Sequence, residues 1–104
     1  MYNNGLSNIK GLNLMHYKND RQSSYWLYPI LVENRKDFIF KLKSYKIPTS
    51  VVHQRIDRNS IFGTLTKNLI NQEYFDEHQI CLPIHYGLSD KDIKKIIKII
   101  NDGW

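Results

Sequence analysis

The clearest pattern of apolar and polar positions lies at the C-terminal end of the chain, in residues 89–104. Apolar residues recur there at helical spacing and lysines fall between them: Ile93, Ile96, Ile97, Ile100 and Trp104 on one side, Lys91, Lys94, Lys95 and Lys98 on the other. Ser89 and Asp92 have the spacing of a capping box, in which each residue caps the other's backbone N–H. The pattern predicts an amphipathic helix that follows a strand over Gln79–His85 and a turn at Tyr86 and Gly87.

Three other stretches favour β-strands. Residues 11–17 alternate weakly, Tyr25–Val32 is apolar on both faces of a period-2 pattern, and Pro48–His53 forms a further short apolar run. Pro29 removes one donor from the hydrogen-bond ladder, which predicts that its strand lies near an edge or a bulge. Because Tyr25–Val32 is apolar on both sides, both of its faces should be covered.

A second helix is predicted after Asn34, which can act as its N-cap with Asp37 in the first turn. Its inward positions are Phe38, Ile39, Leu42 and Tyr45, and Pro48 cannot continue it. Before the first strand, residues 1–11 contain Gly5 and Gly11 and are typical of a frayed helical end that leads into a turn. The charged residues 18–24 indicate a surface connection.

The long segment Gln54–His78 has only scattered apolar residues and predicts one or two short helical turns. A connection of this length in a small domain indicates a functional loop or a surface made for a partner. The order of elements predicts one α+β domain over residues 1–104: a two-layer sandwich with a small mixed, mainly antiparallel sheet and helices on one face. The other face of Tyr25–Val32 then needs cover from a second subunit or from another domain.

The chain has a formal net charge of +5 and a pI of about 9.4. This balance leaves open a small basic nucleic-acid-binding module that uses the lysine face of the last helix. A protein-interaction domain that docks through Tyr25–Val32 is a further alternative. However, the positive charge comes mostly from lysine, and isoleucine and asparagine are also abundant. An AT-rich coding sequence would give the same composition without selection for phosphate binding.

Neither a run of about 18 apolar residues nor the apolar core of a signal peptide is present, so a cytoplasmic location is expected. The single cysteine, Cys81, cannot form an internal disulfide, which fits a reducing compartment. It lies between Ile80 and Leu82 in a strand pattern. A buried, unreactive thiol is therefore expected rather than a nucleophile.

The candidate functional residues lie directly after two of the predicted strands. The four histidines and Cys81 lack metal-ligand spacing, so no metal site is predicted. His53, Arg55 and Arg58 lie within six residues and could hold a phosphate or a carboxylate, because guanidinium groups match those oxygens bidentately. The alternative is a surface loop in which Asp57 pairs with an arginine. His85 and Tyr86 follow the last strand and could face a ligand or fill the turn.

Three of these segments together resemble the C-terminal part of the DegT/DnrJ/EryC1/StrS aminotransferases. They are the strand YWLYPILVENR, the segment KIPTSVVH, and the entry to the last helix, LPIHYGLSDKD. The resemblance extends over nearly the whole chain, from about Tyr2 to Trp104. It implies the small C-terminal domain of a fold type I enzyme that uses pyridoxal phosphate. Such enzymes transfer an amino group, typically from glutamate, to a keto sugar carried on a nucleotide.

The resemblance also implies which parts of such an enzyme residues 1–104 do not supply. In the family a large domain holds pyridoxal phosphate and provides the Schiff-base lysine in a Ser-His-Lys setting, and this chain contains no Ser-His-Lys. Residues 1–104 are therefore expected to be inactive alone and to pack against the large domain in a homodimeric enzyme.

The same resemblance places His53, Arg55 and Arg58 near the mouth of the active site, where they would hold the phosphates of the sugar nucleotide or the carboxylate of the amino donor. His85 and Tyr86 are weaker candidates for substrate binding. Many family members have His-Tyr and a further Pro-x-His after the second strand, whereas this chain has His53, Gln54 and Arg55. That difference leaves the sugar and the nucleotide open.

Overall fold

Three short antiparallel strands form the centre of the computed structural model, which describes residues 1–104. In chain order the elements are α1 (Tyr2–Leu6), β1 (Leu12–Leu14), β2 (Tyr28–Val32), α2 (Arg35–Ser44), two 3-10 turns (Ile56–Arg58 and Ser60–Phe62), α3 (Ile70–His78), β3 (Gln79–Leu82) and α4 (Asp90–Asn101). The longest helix, α4, has 12 residues, and no helix has the length and apolar character needed to cross a membrane.

The strand order is β1-β2-β3, and both pairings are antiparallel. The sheet is therefore antiparallel throughout, which makes it simpler than the mixed sheet that was expected. β2 is the central strand, so the prediction that Pro29 marks an edge or a bulge is wrong. Cys81, opposite Pro29, exchanges its backbone hydrogen bonds with Ser50 and not with Pro29. The missing N–H of Pro29 thus points away from β3, at a position where β1 has already ended at Leu14.

Three helices cover one face of the sheet and confirm the predicted two-layer α+β arrangement. The core joins Leu12, Tyr28, Ile30, Val32, Ile80 and Leu82 from the strands to Tyr2, Leu6, Phe38, Leu42, Ile96, Ile99 and Ile100 from α1, α2 and α4. On the other face of β2, Pro29 and Leu31 are half-buried. α1 packs closely on α4 because Gly5 has no side chain: a Cβ there would lie 2.7 Å from two carbons of Ile97.

The prediction for the last helix is confirmed in its cap and its apolar face. Ser89 Oγ accepts a hydrogen bond from the backbone N–H of Asp92 at 3.2 Å, and Asp92 Oδ2 accepts one from the backbone N–H of Ser89 at 3.1 Å. Ile99 is also buried, although the predicted stripe did not contain it. Trp104 packs edge-on against Phe38, with ring centroids 5.0 Å apart, and so joins the C-terminus to α2.

The second helix forms where it was predicted, but two of its details differ. Asn34 takes the N-cap position with a positive φ of 49°, and its side chain makes no capping hydrogen bond. Its backbone carbonyl instead accepts the N–H groups of Asp37 and Phe38. Tyr45 was expected to face inward but is exposed, because the helix ends at Ser44 and Tyr45 lies past its last turn.

The predicted strand Pro48–His53 does not form. Ser50 alone pairs with Cys81, through hydrogen bonds of 2.8 and 3.3 Å in an isolated bridge. Pro48 has no N–H to donate, and His53 has a φ of 60°, which turns the chain away from an extended path. Cys81 itself is buried as predicted, and burial raises the pKa of its thiol above the ordinary value.

Residues 54–78 contain more regular structure than the sequence indicated. The two 3-10 turns agree with the predicted short helical turns, but α3 is a nine-residue helix that was not predicted. Its sequence, INQEYFDEH, has no apolar stripe at helical spacing, and Leu69 at its N-cap offers no capping side chain. Its one buried side chain is the carboxylate of Asp76.

Candidate functional site

Arg55 and Asp57 form the centre of a polar network in residues 55–76. The guanidinium of Arg55 donates two parallel hydrogen bonds to the carboxylate of Asp57, from Nε to Oδ1 at 2.9 Å and from Nη2 to Oδ2 at 2.6 Å. Nη2 also donates to the carbonyl oxygen of Thr66 at 3.0 Å, and the Thr66 N–H donates to Asp57 Oδ2 at 2.9 Å. Asp57 therefore does pair with an arginine, and that arginine is only 7% exposed.

The buried carboxylate of Asp76 ties this network to α3. Its Oδ1 accepts a hydrogen bond from the backbone N–H of Arg55 at 3.3 Å, and its Oδ2 accepts one from the guanidinium of Arg58. α3 is held in turn by Arg35 of α2, whose Nη1 donates to the carbonyl oxygens of Asp76 at 2.6 Å and Gln79 at 3.1 Å. Residues 55–58 are thus fixed to α3, and α3 is fixed to α2.

The charges within the network compensate one another. The hydrogen bonds from Arg55, followed by the one from the Thr66 N–H, lower the pKa of the Asp57 carboxyl to about 2. Hydrogen bonding to Asp57 raises the pKa of Arg55 above its ordinary value. Glu73 lies 3.8 Å from Nη1 of Arg55 and adds a further negative charge. Arg55 therefore lies against two acidic side chains, Asp57 and Glu73, and brings little unbalanced positive charge to a ligand.

An open hollow of about 530 Å³ lies beside the network. Its charged lining consists of three basic and three acidic side chains: Arg55, Arg58, Lys67, Glu73, Asp76 and Glu77. The Arg58 side chain is 54% exposed although one of its nitrogens contacts Asp76. Arg58 can therefore bind an anion through its remaining donors while Asp76 holds it in position.

The other predicted site residues do not line this hollow. His53 is exposed, and its ring centroid lies 6.2 Å from that of Trp26, which is itself mostly exposed. Tyr86 is fully exposed. The structure thus brings Arg55 and Arg58 together, whereas His53 and Tyr86 stand on open surface.

His85 lines a separate, mostly apolar hollow of about 260 Å³ with Tyr2, Tyr25 and Tyr28. Its Nδ1 accepts the backbone N–H of Gly87 at 3.2 Å, which shapes the turn before α4. Burial raises the pKa of Tyr2 and Tyr28 to about 12, so both phenols stay neutral at physiological pH. The structure therefore separates the two candidate regions that the sequence identified, one at Arg55 and one at His85.

The site residues predicted from the sequence did not include three members of the network: Thr66, Glu73 and Asp76. Thr66 acts through its backbone, so its residue type gives no signal. Glu73 and Asp76 lie on α3, which has no apolar periodicity from which their direction could be inferred. The one available signal is composition, because the segment places two arginines close to several carboxylates.

No lysine of residues 1–104 is buried, so the structure desolvates no amine that could act as a Schiff-base nucleophile. The most enclosed lysine, Lys41, is half-buried, with its Nζ 5.7 Å from the centroid of the Tyr45 ring. These residues do not fit the role of the family's cofactor-binding lysine.

Known proteins resemble this chain in sequence and in structure. A protein of Methanocaldococcus jannaschii, "Uncharacterized protein MJ1066", is 29% identical over 110 residues, which cover 96% of this chain and 28% of that protein. The sugar aminotransferase CalS13 from Micromonospora echinospora has a structure that matches 99% of this chain with a TM-score of 0.92 and 27% identity. AtS13 from Actinomadura melliaura also matches 99% of the chain, with a TM-score of 0.90 and 26% identity.

Residues 1–104 span 28% of the length of each of these three proteins. The profile of the DegT/DnrJ/EryC1/StrS aminotransferase family matches residues 1–101, which is nearly the whole chain. With the sequence resemblance and the shared fold, this match assigns the chain: it belongs to the DegT/DnrJ/EryC1/StrS aminotransferase family.

Proposed function

We propose that residues 1–104 form the substrate side of a pyridoxal-phosphate-dependent sugar aminotransferase. The whole enzyme, a homodimer, would transfer an amino group from glutamate to a keto sugar linked to a nucleotide. The observation that carries this proposal is the agreement of 99% of the chain with the sugar aminotransferase CalS13, at a TM-score of 0.92 and 27% identity. This match extends over nearly the whole chain and is not confined to one motif, so it supports a shared role for the chain as a whole.

The cofactor would be held outside residues 1–104. Spr1654 from Streptococcus pneumoniae, which shares this fold, has structures named as PLP and PMP forms. The chain described here spans 28% of the length of Spr1654 in those structures. Because no lysine of residues 1–104 is buried, the Schiff base to pyridoxal phosphate would form on another part of the enzyme.

The polar network suggests how this chain contributes to substrate binding. Arg58 is anchored by Asp76 and keeps donors free, so it would bind a phosphate of the sugar nucleotide or the carboxylate of the donor. Arg55 directs its hydrogen bonds to Asp57 and Thr66 and would act by holding the segment in position. His53, and His85 and Tyr86 from their separate region, would supply further contacts to the substrate.

Borohydride reduction in the presence of pyridoxal phosphate tests this division of roles. The isolated chain should give no stable adduct concentrated at one lysine, because its amines are solvated. A chimaera in which residues 1–104 replace the matched part of CalS13 should give one adduct, at a lysine outside residues 1–104. A single, stoichiometric adduct at a lysine of the isolated chain would overturn the proposal.

A further inference from the structure

Two aromatic side chains that are far apart in the chain meet on the surface of the domain. The rings of Trp26 and His53 have centroids 6.2 Å apart and planes inclined at 59°. Centroid distances of about 4.5–7 Å are typical of aromatic pairs that attract each other. Trp26 is 77% exposed, and His53 is exposed as well. We call this pair the aromatic platform, and the open face of its indole ring is available to a ligand.

Two uncommon backbone conformations build the aromatic platform. Tyr25 has a φ of 50°, which is an outlier for so bulky a residue. Its ring stacks against that of Tyr28, with centroids 6.0 Å apart, while the next side chain, Trp26, stays on the surface. His53 has a φ of 60°, which ends the extended path of its segment where its ring meets the indole. Strained backbone of this kind is common at ligand sites.

Hydrogen bonds hold both sides of the platform in place. The backbone N–H of Tyr25 donates to Ser23 Oγ at 3.1 Å, and its hydroxyl accepts a hydrogen bond from Asn3 Nδ2 at 3.2 Å. On the other side, Ser50 is paired with Cys81 of β3, shortly before His53. A surface fixed in advance loses less conformational entropy when a ligand covers it.

The exposed side chains nearest the platform in the chain are polar. Gln22 and Ser24 precede Trp26, Gln54 follows His53, and all three are exposed. An aromatic ring among hydrogen-bonding groups suits a flat ligand that has an aromatic face and a polar edge. Nucleobases have both, and they stack on exposed aromatic side chains such as tryptophan and histidine.

The proposed substrate has one end that remains for such a platform. Its keto carbon has to meet the cofactor, which would be held outside residues 1–104. The base lies at the opposite end of the substrate, beyond the sugar and the phosphates. Arg58, the proposed phosphate ligand, is five residues from His53, so their Cα atoms lie within about 18 Å of each other. The base and the phosphates of one ligand can therefore meet the same segment of the chain.

We propose that the aromatic platform stacks the base of the nucleotide-linked sugar. Trp26 supplies the face, and the imidazole of His53 supplies a ring nitrogen that can hydrogen-bond the polar edge of the base. This inference rests on the proposed function and adds to it the residues that select a nucleotide-linked sugar over a simple sugar phosphate. Loss of one aromatic ring from such a stack weakens binding by about 10-fold.

Nuclear magnetic resonance of the 104-residue chain tests the stacking, because its two tryptophans report separately. The indole N–H of Trp104 donates to the carbonyl oxygen of Glu33 at 2.8 Å, whereas Trp26 lies on open surface. Uridine, thymidine or guanosine diphosphate should shift the Trp26 resonances upfield in a saturable way, as a ring stacked on the indole does, and leave those of Trp104 in place. Inorganic pyrophosphate, which has no base, should move neither. Equal shifts with pyrophosphate, or no shift with any of the three nucleotides, would overturn the proposal.

Variants of the chimaera with CalS13 give a kinetic test. Trp26→Ala should raise the KM for the nucleotide-linked keto sugar by about 10-fold and leave the KM for glutamate unchanged. Trp26→Phe keeps an aromatic face and should recover most of the loss. Phe40→Ala removes a ring that is 76% exposed on α2, and as the matched control it should change neither KM. An equal rise in both KM values, or the same rise in Phe40→Ala, would contradict stacking at Trp26.

The outcomes also separate this inference from the proposed function. Base-dependent shifts of Trp26 together with a chimaera that transfers no amino group would support the platform and count against the proposed function. Amino transfer by a chimaera in which Trp26→Ala leaves the KM for the nucleotide-linked keto sugar unchanged would support the function and reject the platform.

Discussion

Arg55 and Asp57, two residues apart, face each other in a bidentate ion pair with hydrogen bonds of 2.9 and 2.6 Å. The pair lies at the 3-10 turn Ile56–Arg58. It also binds the backbone of Thr66, because Arg55 donates to the Thr66 carbonyl oxygen and Asp57 accepts from the Thr66 N–H. Planar pairs of this kind fix orientation as well as distance. The position of Arg58, one residue further along, is consequently set by the same turn.

Stability should depend on the ionisation of Asp57. Its pKa lies at about 2 in the folded chain against an ordinary 3.8, so the folded state favours the carboxylate. The stabilisation is present above about pH 4 and is lost as the pH falls from 4 toward 2. Asp57→Asn should therefore be less stable than the wild type at pH 6, and the difference should shrink toward pH 2. Urea unfolding at several pH values measures it.

Asp20→Asn is the matched control for this measurement, because Asp20 also pairs with a neighbouring arginine, Arg21. That pair is exposed to solvent, and exposed ion pairs contribute little to stability. A difference for Asp57→Asn that stays constant from pH 6 to pH 2 would contradict the assignment.

Removing the Asp76 carboxylate should destabilise the fold. Asp76→Ala leaves the backbone N–H of Arg55 without its acceptor and releases Arg58, which should lower the free energy of unfolding by about 2 kcal/mol. Glu77→Ala, at the next position on α3, removes an exposed carboxylate and should change it by less than about 0.5 kcal/mol. Equal effects of the two substitutions in denaturant unfolding would show that Asp76 does not anchor the segment.

Substitutions on α2 should destabilise the domain only on the side of the helix that faces the core. Phe38 is fully buried and contacts Trp104, so Phe38→Ala should lower the free energy of unfolding by about 3–5 kcal/mol. Phe40, on the same helix, is 76% exposed, and Phe40→Ala should have an effect of less than about 0.5 kcal/mol. Thermal unfolding followed by circular dichroism compares the two, and similar losses would contradict the placement of α2.

Arg58 should matter for substrate binding as well as for its contact with Asp76. In the chimaera with CalS13, Arg58→Ala should raise the KM for the nucleotide-linked keto sugar or for the amino donor by about 10-fold, the loss expected for one charge-assisted hydrogen bond. Arg21→Ala, which removes an arginine from another ion pair, is the control and should leave KM unchanged. Unchanged KM values for both substrates in Arg58→Ala would exclude this arginine from the substrate site.

Elements with strong local signals could be predicted from the sequence. The capping box at Ser89 and Asp92 and the isoleucine stripe after it specify α4, because cap and periodicity act within one helix. The cysteine between two apolar neighbours was correctly expected to be buried. The order of the elements predicted the two-layer α+β arrangement, and the family resemblance agreed with it.

Features that depend on distant contacts could not be predicted. α3 has no apolar stripe, and its place is set by hydrogen bonds from Arg35 and Arg55, residues far from it in the chain. Pro29 occupies a central strand because β1 happens to end before the position of its missing N–H. The spacing of Arg55 and Arg58 indicated a cluster but could not show that Asp57 and Asp76 already occupy part of it.

Amino transfer by the chimaera tests the central claim most directly. CalS13 with its matched part replaced by residues 1–104 would be supplied with pyridoxal phosphate, glutamate and a panel of nucleotide-linked keto sugars, and 2-oxoglutarate formation would be followed. We expect glutamate-dependent formation of an amino sugar nucleotide from at least one member of the panel. A folded, cofactor-loaded chimaera that transfers no amino group to any of them would contradict it.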